Sequence, residues 1–179
     1  MVIGDWESPT DFSPLFNDEL PAREIDSLLF SGLTRRDAQL HPIADLASEV
    51  PTLDNGGVSW DRAAAKMTVS YQLRAGLQWS DGQPLTAQDV AFTLKVIRDS
   101  PPGSALNSEG YSTIQDLKVA GPLRFTISFN RIYPQYLDLF PAILPQHRLD
   151  TGSTGSLAQN SYWAHPDVVS GPYRISELV

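Results

Sequence analysis

The chain has 179 residues, a formal net charge of −8 and no cysteine. That length can bury a core, and 41% hydrophobic with 19% charged residues is a globular composition. The acidic balance argues against nucleic acid or an anionic membrane surface as partner, and the missing cysteines exclude disulfides and thiolate metal sites while leaving the redox compartment open.

Pro21 and Ala22 open a helix whose Ile25, Leu28, Leu29 and Leu33 recur at helical spacing, and Gly32 is placed to end it. Asp54-Asn55-Gly56-Gly57 is a loop, or a hairpin tip, leading into Val58-Ser59-Trp60. Met67, Val69, Tyr71 and Leu73 alternate with Thr68, Ser70, Gln72 and Arg74, which predicts a half-buried strand. Ser80-Asp81-Gly82 is turn chemistry, and Pro84 fixes the chain behind it. Thr86 is set to cap a helix starting at Ala87, and Asp89 completes a capping-box-like pair at the positive end of the helix dipole. This helix runs to about Asp99, with Val90, Leu94 and Ile97 on one face, and breaks at Ser100-Pro101-Pro102-Gly103-Ser104.

Residues 103–113 are small and polar and read as a surface loop. Leu117–Val119 and Phe125–Phe129 read as antiparallel strands joined by a Gly121-Pro122 turn, and Tyr133–Phe140 as a short helix entered through Pro134. Thr151–Ser156 reads as a flexible polar insert and Tyr173–Leu178 as a final strand. No repeat is visible, and there is no βαβ rhythm. The fold class is α+β, a mixed antiparallel sheet with helices.

Candidate chemistry is sparse. His41, His147 and His165 have no metal-ligating partner at local spacing, so no metal site is expected. His147 reads instead as fixing the loop after Leu144-Pro145. No G-x-S-x-G elbow occurs, and Gly152–Gly155 lacks the lysine and helix of a phosphate loop. The 21 acidic residues show no pair marked for acid–base work. No catalytic residue, no cofactor and no enzymatic activity are expected.

The run Leu73–Val90, with Trp79-Ser80-Asp81-Gly82 at its centre, resembles a signature of the extracytoplasmic peptide-binding proteins of ABC transporters, the oligopeptide, dipeptide and nickel-binding family (bacterial solute-binding protein family 5). Other stretches follow in the family's order. Val2-Ile3-Gly4 is similar to its opening strand, Phe12-Ser13-Pro14-Leu15-Phe16 to its "NP" turn, and Arg23 to Gly32-Leu33 to its first helix and "GL" pair. Pro42–Ala47 is similar to "P-x-LA", Ile143-Leu144-Pro145-Gln146-His147 to "ILPxH", and Ser170-Gly171-Pro172-Tyr173-Arg174 to "GTGPYK" with Ser170 for Thr. Many members have "SW" after the "LA" stretch. Here Leu46-Ala47-Ser48-Glu49-Val50-Pro51-Thr52 departs from that, which loosens any inference about ligand class.

The resemblance implies a two-lobed periplasmic-binding-protein fold with a small domain inserted in the first lobe. Residues 1–31 would open lobe I, 32–166 form the inserted α+β domain, and 167–179 return to lobe I, with the second lobe beyond Val179. It implies capture of a peptide or other small solute outside the cytoplasmic membrane and delivery to ABC permease membrane subunits. No nucleic acid would be bound. Family members are exported and often lipid-anchored, so the export signal would have been removed, Met1 would be artificial, and membrane association would come only through that anchor or the permease. The resemblance places ligand contacts in the loop Asn17-Asp18-Glu19-Leu20, which would bond an extended peptide through its backbone, and at Tyr111. The alternative for the loop is a solvated acidic turn with an N-capping Asp. Trp79 is expected beneath the following helix, Trp60 as a lid on the small domain's core, and Trp163 over the domain junction. Trp6 is expected to be exposed near the start, and Tyr173 to pack near the lobe interface. A reading from another class is a small structural or interaction domain with no ligand of its own.

Overall fold

The computed structural model describes residues 9–106, 108–152, 154 and 157–177. Val2-Ile3-Gly4, Trp6, Ser153, Gly155, Ser156 and Leu178 lie outside them.

The first helix, α1, spans Leu20–Leu29 and ends on Phe30, whose extended backbone returns its N–H to Asp26 O. Gly32 is therefore not its terminator. A Cβ at residue 32 would sit 2.6 Å from the carbonyl oxygens of both Phe140 and Pro141, so close backbone approach is what demands glycine there. The buried face of α1 also differs from the expected stripe. Pro21, Ala22, Asp26 and Leu29 are buried, while Ile25 and Leu28 are half-exposed.

Two strands not foreseen, β1 (Thr34–Arg36) and β2 (Pro42–Ala44), form an antiparallel ribbon. The main sheet holds β3 (Val58–Asp61), β4 (Lys66–Gln72), β5 (Ile114–Gly121) and β6 (Arg124–Phe129) in the antiparallel order β3-β4-β6-β5. The β3–β4 turn falls at residues 62–65, so Asp54–Gly57 is a loop before the hairpin and not its tip. Asn55 Oδ1 accepts from the N–H groups of Thr52 (2.8 Å) and Gly57 (3.0 Å) to hold that loop. The alternation read in β4 holds: Met67, Val69 and Tyr71 are buried, and Leu73 continues the same face. In register, Val69 faces Ile127 and Tyr71 faces Phe125, with those two rings stacked at 5.2 Å. Trp60 is 42% exposed with the Arg62 guanidinium over its ring, so it is no lid.

Helix α2 (Ala87–Asp99) carries the expected capping box. Thr86 Oγ1 accepts from Gln88 N (3.3 Å), and Asp89 Oδ2 accepts from Thr86 N (2.8 Å). Val90, Leu94 and Ile97 join one apolar cluster with the buried side chains of the sheet. Residues 103–113 are not a plain loop: α3 (Ser108–Ser112) lies there with Gly110 and Tyr111 buried. The stretch 133–140 holds only a 3-10 turn at Tyr136–Asp138. A further short helix, α4, spans Gln146–Leu149. Thr154, expected in a flexible insert, is buried and accepts from Lys95 Nζ (2.9 Å). Residues 173–177 form no strand. Gly171 N and Tyr173 N instead donate to the Leu29 and Leu28 carbonyls (2.7 and 3.1 Å), so α1's free carbonyls take the bonds a ladder would need. No helix among the described residues is long and apolar enough to cross a membrane.

Candidate functional site

The loop before α1 builds itself around Asn17, which is 8% exposed. Its side-chain amide donates to Asp11 O (3.1 Å) and to Glu19 Oε2 (3.3 Å), and its Oδ1 accepts from Glu19 N (2.8 Å). Glu19 Oε2 also accepts from Thr10 N (2.9 Å). That backbone bond first, then the Asn17 amide, hold the Glu19 carboxyl below its ordinary range. Asn17 and Glu19 thus serve the loop's own scaffold. Glu19 is also the N-cap residue of α1, without a side-chain cap bond, so no aspartate caps this helix. Asp18 is left exposed beside them, and Leu20 is 60% exposed.

A cleft of about 420 Å³ opens between this loop, α1, α3 and the segment 138–142. Asp18 and Tyr111 both line it, while Asn17, Glu19 and Leu20 do not. Two of the five expected contact residues are therefore brought together from distant parts of the chain. Tyr111 reaches the cleft from a buried position. Its ring meets Phe140 edge-on at 5.3 Å, and its hydroxyl accepts from Phe140 N (2.6 Å). Burial pushes its phenol above the ordinary value.

The remaining charged lining was not anticipated. Arg23 and Asp26 come from α1, and Asp138 from the 3-10 turn, where Arg36 Nη2 binds it at 2.5 Å. Asp26 is 5% exposed, and neither of its carboxylate oxygens has a hydrogen-bond partner among the described residues. Desolvation first, then the Asp11 charge, push its carboxyl up to about 7. The signal was present in the sequence: Asp26 sits four residues after Ala22 and three before Leu29, inside a helical stripe that should be apolar.

A second hollow, of about 390 Å³, lies at the start of α2 and includes Thr86, Asp89, Gln146 and His147. Here His147 Nε2 meets Asp81 Oδ2 at 2.9 Å, tying α4 to the Ser80–Gly82 turn. Desolvation pushes the Asp81 carboxyl up, but the Gln83 N–H and the His147 ring outweigh it and leave the carboxyl below its ordinary range. Asp89 Oδ1 accepts from Gln146 N (3.0 Å), so the capping residue of α2 also anchors α4. Trp79 is buried beneath this corner, edge-on to His147 at 6.1 Å. Trp163 is buried against Phe30 and Tyr162, and Tyr173 is 48% exposed. Among the described residues no three metal-ligating side chains converge.

Residues 57–179 match the family model described as bacterial extracellular solute-binding proteins, family 5 middle. The oligopeptide-binding protein AppA of Bacillus subtilis is 29% identical over 184 residues, an alignment covering 99% of this chain and 31% of that protein. Among solved structures, NikZ from Campylobacter jejuni in complex with Ni(L-His) is similar at a TM-score of 0.77 and 22% identity, over 97% of this chain and 32% of that one. AppA from Bacillus subtilis in complex with a nonapeptide is similar at a TM-score of 0.76 and 23% identity, over 96% of this chain and 32% of that one. These two likenesses show a shared fold. The chain spans about a third of the length of these relatives.

Proposed function

The chain belongs to family 5 of the bacterial extracellular solute-binding proteins, and on that premise we propose that it supplies the amino-terminal wall of a cleft that captures a peptide or related solute outside the cytoplasmic membrane for delivery to an ABC permease. No bond is made or broken in this reading, and ATP is hydrolysed by other subunits. A lipid anchor or the permease would hold the protein at the membrane. Residues 1–31 and 167–179 form part of one lobe, and 32–166 the domain inserted in it. The hydrogen bonds from Gly171 and Tyr173 to the end of α1, and from Ser31 N to Ser170 Oγ (2.9 Å), support that return.

The observation that carries the reading is the meeting of Asp18 and Tyr111 in one cleft of about 420 Å³. Such a volume suits a side chain or a small solute. In the loop at 17–20 the Asn17 and Glu19 N–H groups are already bonded to Ser13 O and Asn17 Oδ1, so main-chain recognition of an extended peptide would fall to Asp18, the loop residue that lines the cleft.

The experiment is thermal unfolding of this chain and of the full-length product of its reading frame, each against short peptides, oligosaccharides and nickel complexes. A ligand bound by the native state alone adds about 2.7 kcal/mol at a hundredfold excess over Kd. A shift in the full-length product but none in this chain is expected. An equal shift in this chain would mean the site is complete without a second wall. No shift in the full-length product with any probe would refute the reading.

A further inference from the structure

A carboxylate without a donor, nine-tenths buried, is disfavoured unless something supplies what water no longer does. Asp26 is in that position, and it faces a cleft. Its side chain springs from α1 between Ala22 and Leu29, both buried, and no described residue donates to it. Phe30, one helical turn on from Asp26, and Leu106 and Tyr111 from elsewhere in the chain also line the cleft, and the Tyr111 hydroxyl is committed to Phe140 N. The local charge is acidic. Asp18 lines the same cleft, Asp11 acts on Asp26 from the preceding loop, and Asp138 is engaged by Arg36. Arg23 is the one cation lining the cleft, and it makes no ion pair among the described residues, with Asp26 or with any other group.

We propose that Asp26 is the counter-charge of a subsite that takes a cationic nitrogen, an ammonium or guanidinium group, of the captured solute. The inference rests on the solute-capture reading of this cleft and narrows it to solutes carrying such a group. Two acceptor oxygens without a donor call for an N–H-rich group. The acidic surroundings favour one that is charged, because a hydrogen bond between ionised partners in a dry site is about twice as strong as a neutral one. A metal ion is the poorer occupant, since no three ligating side chains converge among the described residues. The apolar wall of Leu106, Phe30 and Tyr111 suits the aliphatic stem behind a lysine or arginine head group.

The test has two arms. In the first, the full-length product with isotope-labelled aspartate carboxyls is titrated with methylguanidinium chloride and, separately, with potassium chloride at equal ionic strength. The Asp26 carboxyl resonance, assigned by its disappearance in Asp26→Asn, should shift saturably with methylguanidinium alone. In the second, binding is measured for tetra-alanine peptides carrying one lysine, or norleucine in its place, at each position. Wild type should prefer lysine at one position by about 10- to 100-fold, and Asp26→Asn should lose that preference. The first arm reads the wild-type protein, so a poorly folding variant does not decide the matter; Asp26→Glu then serves for assignment. A resonance that answers both salts alike, with the peptide preference unchanged in Asp26→Asn, overturns the proposal and leaves solute capture standing. Saturation by methylguanidinium with no peptide bound at all removes the peptide reading and keeps the cation subsite.

Discussion

Asp26 should make this fold lose stability as pH rises, the reverse of the usual carboxylate. Unfolded, its carboxyl ionises near 3.8; in the fold, desolvation and Asp11 move it to about 7. Between those two values the folded state keeps a proton that the unfolded state has released. Stability therefore falls with pH at about 1.4 kcal/mol per pH unit across that window. The full loss is about 4 kcal/mol, absent below 3.8 and complete above 7. Solvent screening reduces it little, because Asp26 is only 5% exposed. Asp18 and Arg23, of opposite charge, line the same cleft, and Asp138 is paired with Arg36.

Asp26→Asn removes the titrating group and keeps its shape. Relative to wild type, the variant should gain nothing near pH 4 and up to about 4 kcal/mol near pH 8. A pH-independent cost of about 1–3 kcal/mol is superposed, because the buried amide brings donors that also lack partners. The slope carries the argument, not the offset. Urea unfolding of both proteins, in parallel from about pH 4 to about pH 8.5, isolates it, since titrating groups that do not act on Asp26 cancel in the difference, leaving Asp26 with its coupling to Asp11. A stability difference that stays constant across that range would refute the reasoning, and would mean that Asp26 is solvated or partnered in solution.

Thr86→Ala removes the cap of α2 and should lower stability by about 1 kcal/mol, read as a lower urea midpoint at unchanged slope. Tyr111→Phe keeps the ring and its edge contact with Phe140 but leaves the Phe140 N–H buried without its acceptor; a loss of about 1–3 kcal/mol is expected in the same assay. Gly32→Ala places a methyl 2.6 Å from two backbone oxygens that cannot swing aside, and should cost about 1–3 kcal/mol or more. A Gly32→Ala protein as stable as wild type would show that the 140–141 segment moves freely.

The parts of the fold legible in the sequence are those whose chemistry is local. The capping box of α2 needs only Thr86 and Asp89 three residues apart. Strand β4 announces itself because every second side chain is apolar, and the β5–β6 turn because Pro122 fixes its own backbone, although the turn falls at residues 122–123, one later than expected, with Gly121 still paired in β5. Helix α3 shows the opposite case. Its residues, Ser-Glu-Gly-Tyr-Ser, have neither helical periodicity nor good propensity. It is held by distant groups: a Cβ at Gly110 would lie 2.6 Å from the Tyr133 hydroxyl, and Tyr111 is locked to Phe140. None of those partners is local in sequence, so no window of residues could have shown it.

The same distinction explains the candidate site. Asp18 and Tyr111 were reachable through a resemblance of motifs, but the roles of Asn17 and Glu19 depend on bonds to Thr10 and Asp11 that only the folded loop makes. Asp26 left a signal in its spacing from Ala22 and Leu29, but a hydrophobicity reading of the helix masks it. A stripe of apolar residues is read by summing hydrophobicity around a helix, and one charged residue merely lowers the sum and turns the inferred face toward Ile25 and Leu28. The structure turns it back: Ala22, Asp26 and Leu29 face inward. An acid tolerated at that position, at a cost a leucine would not incur, is hard to explain by packing. The cost becomes intelligible if a group other than the described residues supplies the missing donors, which is why this buried, unpartnered carboxylate is a guide to what the cleft receives.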